Sequence, residues 1–247
     1  MDNTNQDTTL SYDLSSEKKE NITIDYRNSN YKFIQITIPE IIEKPLTVKQ
    51  DFRLGKGGIF WDGSYFMSKY LIENYFNSEH PPSSTSVIEL GAGTALPSLT
   101  ALVKGYNVIT TDLPKFVPFM KDIISLNTHL FPNANQSTVC QLSWENQKDI
   151  DYVKSLNNNK PFDLIIGSEL IYLDDLFDDL INVLKQLSNE STMILLTYKI
   201  RLQEMVDDFI NKVTKYFKIE YINYELTNQL YPKPEKLKLV RLVLINN

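Results

Sequence analysis

Histidine and cysteine are nearly missing from this chain of 247 residues: His80 and His129 are the only two of the first, and Cys140 the only one of the second. A single cysteine forbids an intrachain disulfide, so nothing in the composition calls for an oxidising compartment. Two histidines far apart in the sequence, with no cysteine beside either, do not make a zinc site. No apolar run reaches membrane-spanning length, and the opening stretch MDNTNQDTTLSYDLSSEKKE lacks the apolar core of a secretory signal. Runs of lysine and arginine are absent, and the formal net charge is -6. That balance argues against a free nucleic-acid partner, which needs a basic surface. The expectation is a cytoplasmic chain, with a nuclear fraction left open, that uses no metal, no membrane and no nucleic acid. Glycine is scarce too, at eight residues, so a place where two stand close together has a reason to be sought.

What is present is ordinary for a globular protein: 42% hydrophobic and 23% charged residues, in a chain long enough to bury a core without staples. Residues 1–21 are polar and read as a disordered tail. Two β-rich runs in ITIDYRNSNYKFIQITI (22–38), around Arg27-Asn28-Ser29-Asn30, read as a hairpin. Residues 22–50 are therefore expected to be an N-terminal β-hairpin extension of a single domain spanning 22–247. GKGGIFWDG (55–63) is a glycine-rich loop. The helical spacing of apolar residues 66, 67, 70, 71 and 75 follows it, with Asp62 as the expected N-cap.

Beyond residue 86 the pattern alternates. Strand-like runs at 87–90, 107–111, 137–142, 162–167 and 191–197 are separated by helix-like runs near 94–104, 115–130, 146–156, 174–187 and 202–216. Two last strands, 218–226 and 236–245, have no helix between them. Alternation predicts a parallel sheet with helices on both faces, and the last pair predicts an antiparallel hairpin at one edge.

The two neighbouring glycines lie in VIELGAGTALP (87–97), at the end of the first strand of that sheet. Ligands of open α/β sheets bind at the carboxyl ends of the strands, and glycine lets them approach the backbone. Asp112 closes the second strand, 21 residues after Gly91. That spacing places a carboxylate to accept hydrogen bonds from ribose hydroxyls. Leu96 stands where a dinucleotide fingerprint has its third glycine, and Glu89 puts an acid just before the turn. An acid there suits a cationic ligand better than a pyrophosphate. S-adenosylmethionine carries an ammonium and a sulfonium and no phosphate, and is the cofactor these residues favour.

ELGAGT with the following TTD resembles motif I and the next acidic position of seven-β-strand S-adenosylmethionine-dependent methyltransferases. GGIFWDGSYFMSKYL, QLSW (141–144), FDLIIGSELIYLDDLFDDLINVL (162–184) and ILLTYKIR (194–201) resemble segments of the protein-lysine methyltransferase group called methyltransferase-like 21. The likeness runs from about residue 50 to 220. It implies a Rossmann-like class I methyltransferase sheet whose cofactor pocket is lined by Trp61, Gly91, Ala92, Gly93, Asp112, Trp144 and Ser168, with Glu89 beside them. Trp144 would pack on the adenine ring and Trp61 would cover the methionine side. Ser168 stands where the group more usually has alanine. Glu169 and Tyr172 would be the catalytic pair that orients a lysine amine, Glu169 replacing the group's aspartate.

The resemblance implies a folded protein that presents a lysine as the substrate, with chaperones and elongation factors the class to test first; a monomer is expected. The acidic DDLFDD (174–179) opens a helix. It reads either as complement to the helix dipole or as an acidic rim for a basic partner. Asn-Pro-Pro-Tyr, common after the fourth strand of enzymes that methylate base amines or glutamine amides, is replaced here by SELIY. A small-molecule methyltransferase, and a non-catalytic protein that keeps the cofactor pocket, remain the alternatives.

Overall fold

The strands of this chain alternate apolar residues toward two opposite faces, and helices cover both. The computed structural model describes residues 9–12, 33–36, 45–76, 79–132, 137–225 and 236–245. At the N-terminus β1 (Thr9–Tyr12), β2 (Phe33–Ile36) and β3 (Leu46–Lys49) form a small sheet in that order, β1 parallel to β2 and β2 antiparallel to β3. The hairpin expected around Arg27-Asn28-Ser29-Asn30 lies outside the described residues. So does the rest of the tail read at 1–21, within which β1 falls. The buried side chain of Asn127 pins β3 to the main domain: its Oδ1 accepts from Thr47 N–H and its Nδ2 donates to Thr47 O, both at 2.8 Å.

The main sheet has seven strands: β4 (Ser86–Leu90), β5 (Asn107–Asp112), β6 (Ser137–Gln141), β7 (Leu164–Ser168), β8 (Met193–Lys199), β9 (Phe217–Tyr221) and β10 (Leu237–Leu244). Their order is β6-β5-β4-β7-β8-β10-β9, and only β10 runs against the rest. β9 and β10 are the expected antiparallel last pair; the loop YPKPE between them lies outside the described residues.

Period-two alternation settles which residue faces which layer. Val87, Val108, Leu164, Ile166 and Leu195 point into one core, under α1 (Asp62–Asn74), α2 (Leu96–Val103) and α3 (Val117–Asn127). Ile88, Leu90, Ile165, Ile194 and Leu196 point into the other, under α4 (Gln147–Leu156), α5 (Phe177–Leu187) and α6 (Gln203–Val213). Leu180, Ile181, Leu184 and Leu187 supply the buried stripe of α5, as their spacing predicts.

Several boundaries differ from expectation: β9 ends at Tyr221, short of the strand-like run read from 218 to 226, and the start of α1 differs too. Trp61, not Asp62, is the N-cap of α1, and no side chain caps it. Asp62 is the first helical residue, and its carboxylate lies 4.0 Å from Lys199 Nζ at the end of β8. It sits in the first turn of its helix and faces a cation at the end of β8. Among the described residues no helix is long and apolar enough to cross a membrane.

Candidate active site

A cavity of about 840 Å³ opens at the carboxyl ends of β4 to β8, where the strand order reverses. Nine of the ten residues singled out from the sequence line it: Trp61, Gly91, Ala92, Gly93, Asp112, Trp144, Ser168, Glu169 and Tyr172. The tenth, Glu89, does not.

The turn after β4 forms the floor. Gly91 and Gly93 have φ of 56° and 52°, left-handed values that disfavour side chains. A Cβ on Gly93 would also sit 2.9 Å from the carbonyl oxygen of Gly57. The glycine-rich loop therefore lies directly on the β4 turn and roofs that end of the cavity. Asp112 locks the turn from β5: its Oδ2 accepts Gly93 N–H at 2.8 Å and its Oδ1 accepts Leu113 N–H at 2.7 Å. Burial raises its pKa, and these two N–H groups oppose the rise. Each carboxylate oxygen keeps a further lone pair for a ligand hydroxyl.

Trp144 is carried by the loop after β6. Leu142 N–H donates to Asp112 O at 2.8 Å, and Ser143 N–H to Asp149 Oδ2 at 3.0 Å. These bonds set the indole beside Gly91, where a Cβ would lie 3.6 Å from Trp144 Cζ2. At the end of β7, Ser168 Oγ is buried and makes no hydrogen bond among the described residues.

The rest of the lining comes from residues 169–172, Trp61 and the end of β8; Leu170 reaches the β4 turn, where a Cβ on Gly91 would meet its Cδ2 at 2.6 Å, and the charge of Asp112 acts on Tyr172. Glu169 has φ of 59° and donates its N–H to Thr197 O at 2.7 Å. Its side chain passes so close to α1 that a Cβ on Gly63 would meet Glu169 Cγ at 2.6 Å. The carboxylate, 6% exposed, ends 2.9 Å from Arg201 Nη2. Burial pushes the Glu169 pKa up, Arg201 pulls it back, and Asp62 adds to the rise. The Arg201 guanidinium also stands 5.3 Å over the Trp61 ring. Trp61 Nε1 donates to Lys56 O at 2.8 Å, and Lys56 Nζ stands 4.8 Å over the Tyr172 ring.

Glu89 goes elsewhere. It is 1% exposed, and its Oε2 accepts both Ser98 N–H, at 2.8 Å, and the Ser98 hydroxyl. Ser98 lies in the first turn of α2, so the carboxyl caps a helix start instead of facing a ligand. The expectation of an acid facing a cationic ligand is corrected on this point. DDLFDD is also resolved by geometry: Asp178 and Asp179 occupy the first turn of α5, and Asp178 pairs with Lys212 at 2.7 Å. None of its four acids lines the cavity. The mouth instead carries Lys56, Lys115, Lys199 and Arg201. Sequence reading missed all four, although Lys199 and Arg201 follow a parallel strand at its carboxyl end, where a ligand crevice is expected.

Among the described residues, no group of three or more His, Cys, Asp and Glu side chains could hold a metal. S-adenosylmethionine fits the residues present. Asp112 retains acceptor capacity, Ser168 Oγ is a buried hydroxyl awaiting a partner, and the β4 turn admits a ligand to its backbone.

Residues 41–216 match a family model described as lysine methyltransferase. The chain is 31% identical over 185 residues to protein N-lysine methyltransferase METTL21A of Mus musculus, covering 73% of this chain and 78% of the relative. It is 30% identical over 171 residues to EEF1A lysine methyltransferase 3 of Mus musculus, covering 68% and 67%. Among solved structures, a putative SAM-dependent methyltransferase from Streptococcus mutans superposes with a TM-score of 0.59 at 16% identity, covering 87% of this chain and 56% of that one. A glycopeptide N-methyltransferase, MtfA, complexed with S-adenosylmethionine gives 0.52 at 13%, covering 80% and 97%. These two likenesses are of fold. The fold is that of class I methyltransferases, and by sequence the chain belongs to the METTL21 family of protein-lysine methyltransferases.

Proposed function

We propose that the protein transfers a methyl group from S-adenosylmethionine to the side-chain amine of a lysine in a folded protein, acting as a monomer in the cytoplasm, with a nuclear fraction left open. The observation that carries this is one cavity with two unlike walls. The β4 turn, Asp112, Trp144 and Ser168 form one; Glu169, Tyr172, Trp61 and Arg201 form the other. The first wall suits a nucleoside and an amino-acid tail, and the second suits a side-chain amine. The cofactor, when bound, supplies an electrophilic methyl group. The chain supplies alignment and a seat that strips water from the amine. Free lysine titrates near pKa 10.4, and desolvation favours the neutral, nucleophilic form. The Tyr172 ring and the Glu169 carboxyl group orient that amine, while Arg201 opposes the rise that burial imposes on the Glu169 pKa.

Relatives support a protein substrate, and one of them is named for an elongation factor, EEF1A. Elongation factors are therefore the first substrates to test, followed by chaperones. Four cations at the mouth favour a target lysine with acidic neighbours. With methyl-labelled S-adenosylmethionine and a cell lysate, label should enter protein, survive nuclease and vanish with protease. Label lost to nuclease, or found only in small molecules, would overturn the reading.

The donor wall has its own test. Asp112→Ala should weaken S-adenosylhomocysteine binding by about 1.5–3 kcal/mol, the range for hydrogen bonds to a charged group. Calorimetry reads this directly. Asp112→Asn keeps one acceptor oxygen and should fall in between. Unchanged affinity in a folded Asp112→Ala chain would remove Asp112 from the site.

A further inference from the structure

The mouth of the cavity already holds lysine side chains of this chain, and they are not equivalent. Lys199 Nζ lies 4.0 Å from the Asp62 carboxylate. Lys115 stands 5.0 Å over the Phe116 ring and acts electrostatically on Asp112, at the donor wall. Lys56 differs from both. Its Nζ is 4.8 Å over the ring of Tyr172, the residue proposed above to orient the acceptor amine. Its carbonyl is tied by 2.8 Å to the indole N–H of Trp61. The next residue, Gly57, presses its carbonyl on the Gly93 position of the β4 turn. The main chain at Lys56 is thus anchored to both walls, while the exposed side chain extends into the cavity along an aromatic face. Gly55, with φ of 72°, precedes it, and Gly57 after it packs so close to Phe116 that a Cβ there would meet the ring at 2.5 Å.

We propose that Lys56 is a self-methylation site: the cavity methylates the amine of its own roof loop, in cis. This rests on the methyl-transfer function proposed above. In the step, the neutral Lys56 Nζ forms a bond to the methyl carbon as that carbon's bond to sulfur breaks. The electron pair of the broken bond stays on sulfur, which becomes a thioether, and the methylated ammonium releases a proton to water. Nothing beyond S-adenosylmethionine is consumed. Tethering makes the acceptor effectively intramolecular, so no encounter with a partner is needed. A methylated Lys56 keeps its cation over Tyr172 and gains apolar surface there, so it stays against the acceptor wall and competes with a substrate lysine.

The test uses the purified full chain with S-adenosylmethionine and no other protein. Intact mass should rise in methyl steps, and peptide mapping should place them on Lys56. A chain that leaves its expression host already methylated at Lys56 counts equally. Lys56→Arg should abolish the label, whereas Lys148→Arg and Lys160→Arg, exposed and outside the cavity, should keep it. The fraction labelled per unit time should not depend on chain concentration. A readout independent of transfer accompanies it: saturating S-adenosylhomocysteine should slow acetylation of Lys56 by acetic anhydride several-fold relative to the exposed Lys148. The proposal needs both results. Lysate proteins labelled while Lys56 stays bare, label on another lysine, a rate proportional to concentration, or equal acetylation of Lys56 with and without ligand each overturn it and leave the methyltransferase reading intact. No transfer to any acceptor, with no S-adenosylhomocysteine binding, sinks both.

Discussion

Glu169→Ala should transfer methyl groups roughly ten- to a thousandfold more slowly than the parent chain, a loss of about 1.4–4 kcal/mol in the transition state, while binding S-adenosylhomocysteine with unchanged affinity. The separation follows from where things sit. The proposed cofactor contacts come from the ends of β4, β5 and β6 and from Ser168 at the end of β7, whereas the next residue, Glu169, turns its side chain toward α1 and Arg201. The fold should survive the change. Arg201 loses its 2.9 Å partner but has a side chain 41% exposed, so water replaces the carboxylate. The reverse deletion is harsher on chemistry. Arg201→Ala leaves a carboxylate that is 6% exposed with only Lys199, the weaker of the two cations that oppose its burial. Its pKa then rises further. If ionised Glu169 is the working form, activity falls as pH drops through that pKa, and the acid limb of kcat/KM should move to higher pH in Arg201→Ala. Glu169→Asp keeps the carboxylate on an arm one methylene shorter and suits the φ of 59° better, because aspartate tolerates left-handed backbone more readily than glutamate. It should retain activity. Parent-like turnover in a folded Glu169→Ala chain would take Glu169 off the acceptor wall. An acid limb unmoved in Arg201→Ala would show that Arg201 does not govern its charge.

The sheet was legible because each strand and helix repeats its own period. Leu164-Ile165-Ile166 alternates between two cores, and Leu180, Ile181, Leu184 and Leu187 share one helix face. That Gly91, Gly93 and Asp112 line the cavity was legible for a related reason: they mark strand ends, and strand ends line the crevice. Glu89 was misjudged because its neighbourhood in sequence is the turn, while its neighbourhood in space is set by the pleat. It lies two residues after Val87 and so shares the face that carries α2, where Ser98 offers two donors. Asp62 and Arg201 escaped for another reason. Their partners, Lys199 and Glu169, are more than 30 residues away in sequence in both cases, and no local pattern encodes an ion pair across a cavity. The cationic mouth was hidden the same way, since a net charge of -6 says nothing about which charges converge.

Glu89→Gln should flatten the pH dependence of stability and leave the chain more stable than the parent at pH 8. Burial pushes the Glu89 carboxyl up to about 8 from an ordinary 4.5; the two bonds from Ser98 oppose the rise and the charge of Asp112 adds to it. The sign follows from proton counting. Between pH 4.5 and 8 the unfolded chain has released the Glu89 proton and the folded chain still holds it. The folded state binds more protons, so stability falls as pH rises through this window, by up to about 1.4 kcal/mol per pH unit from this group, and levels off above it. Over the window the loss is on the order of a few kcal/mol. The protonated form avoids burying a charge at a position 1% exposed to solvent. Glutamine is neutral at every pH and offers an oxygen to the Ser98 N–H, so it keeps the cap on α2 and removes the titration. Denaturant midpoints should therefore nearly coincide for the two chains at pH 4.5 and diverge steadily toward pH 8. Asp62, Asp112 and Glu169 also have raised pKa values and contribute slopes of the same sign. The diagnostic quantity is thus the difference between variant and parent, not the slope of either. Parallel curves would mean that Glu89 is already ionised in the folded chain at neutral pH, with Ser98 and the start of α2 stabilising its charge against burial.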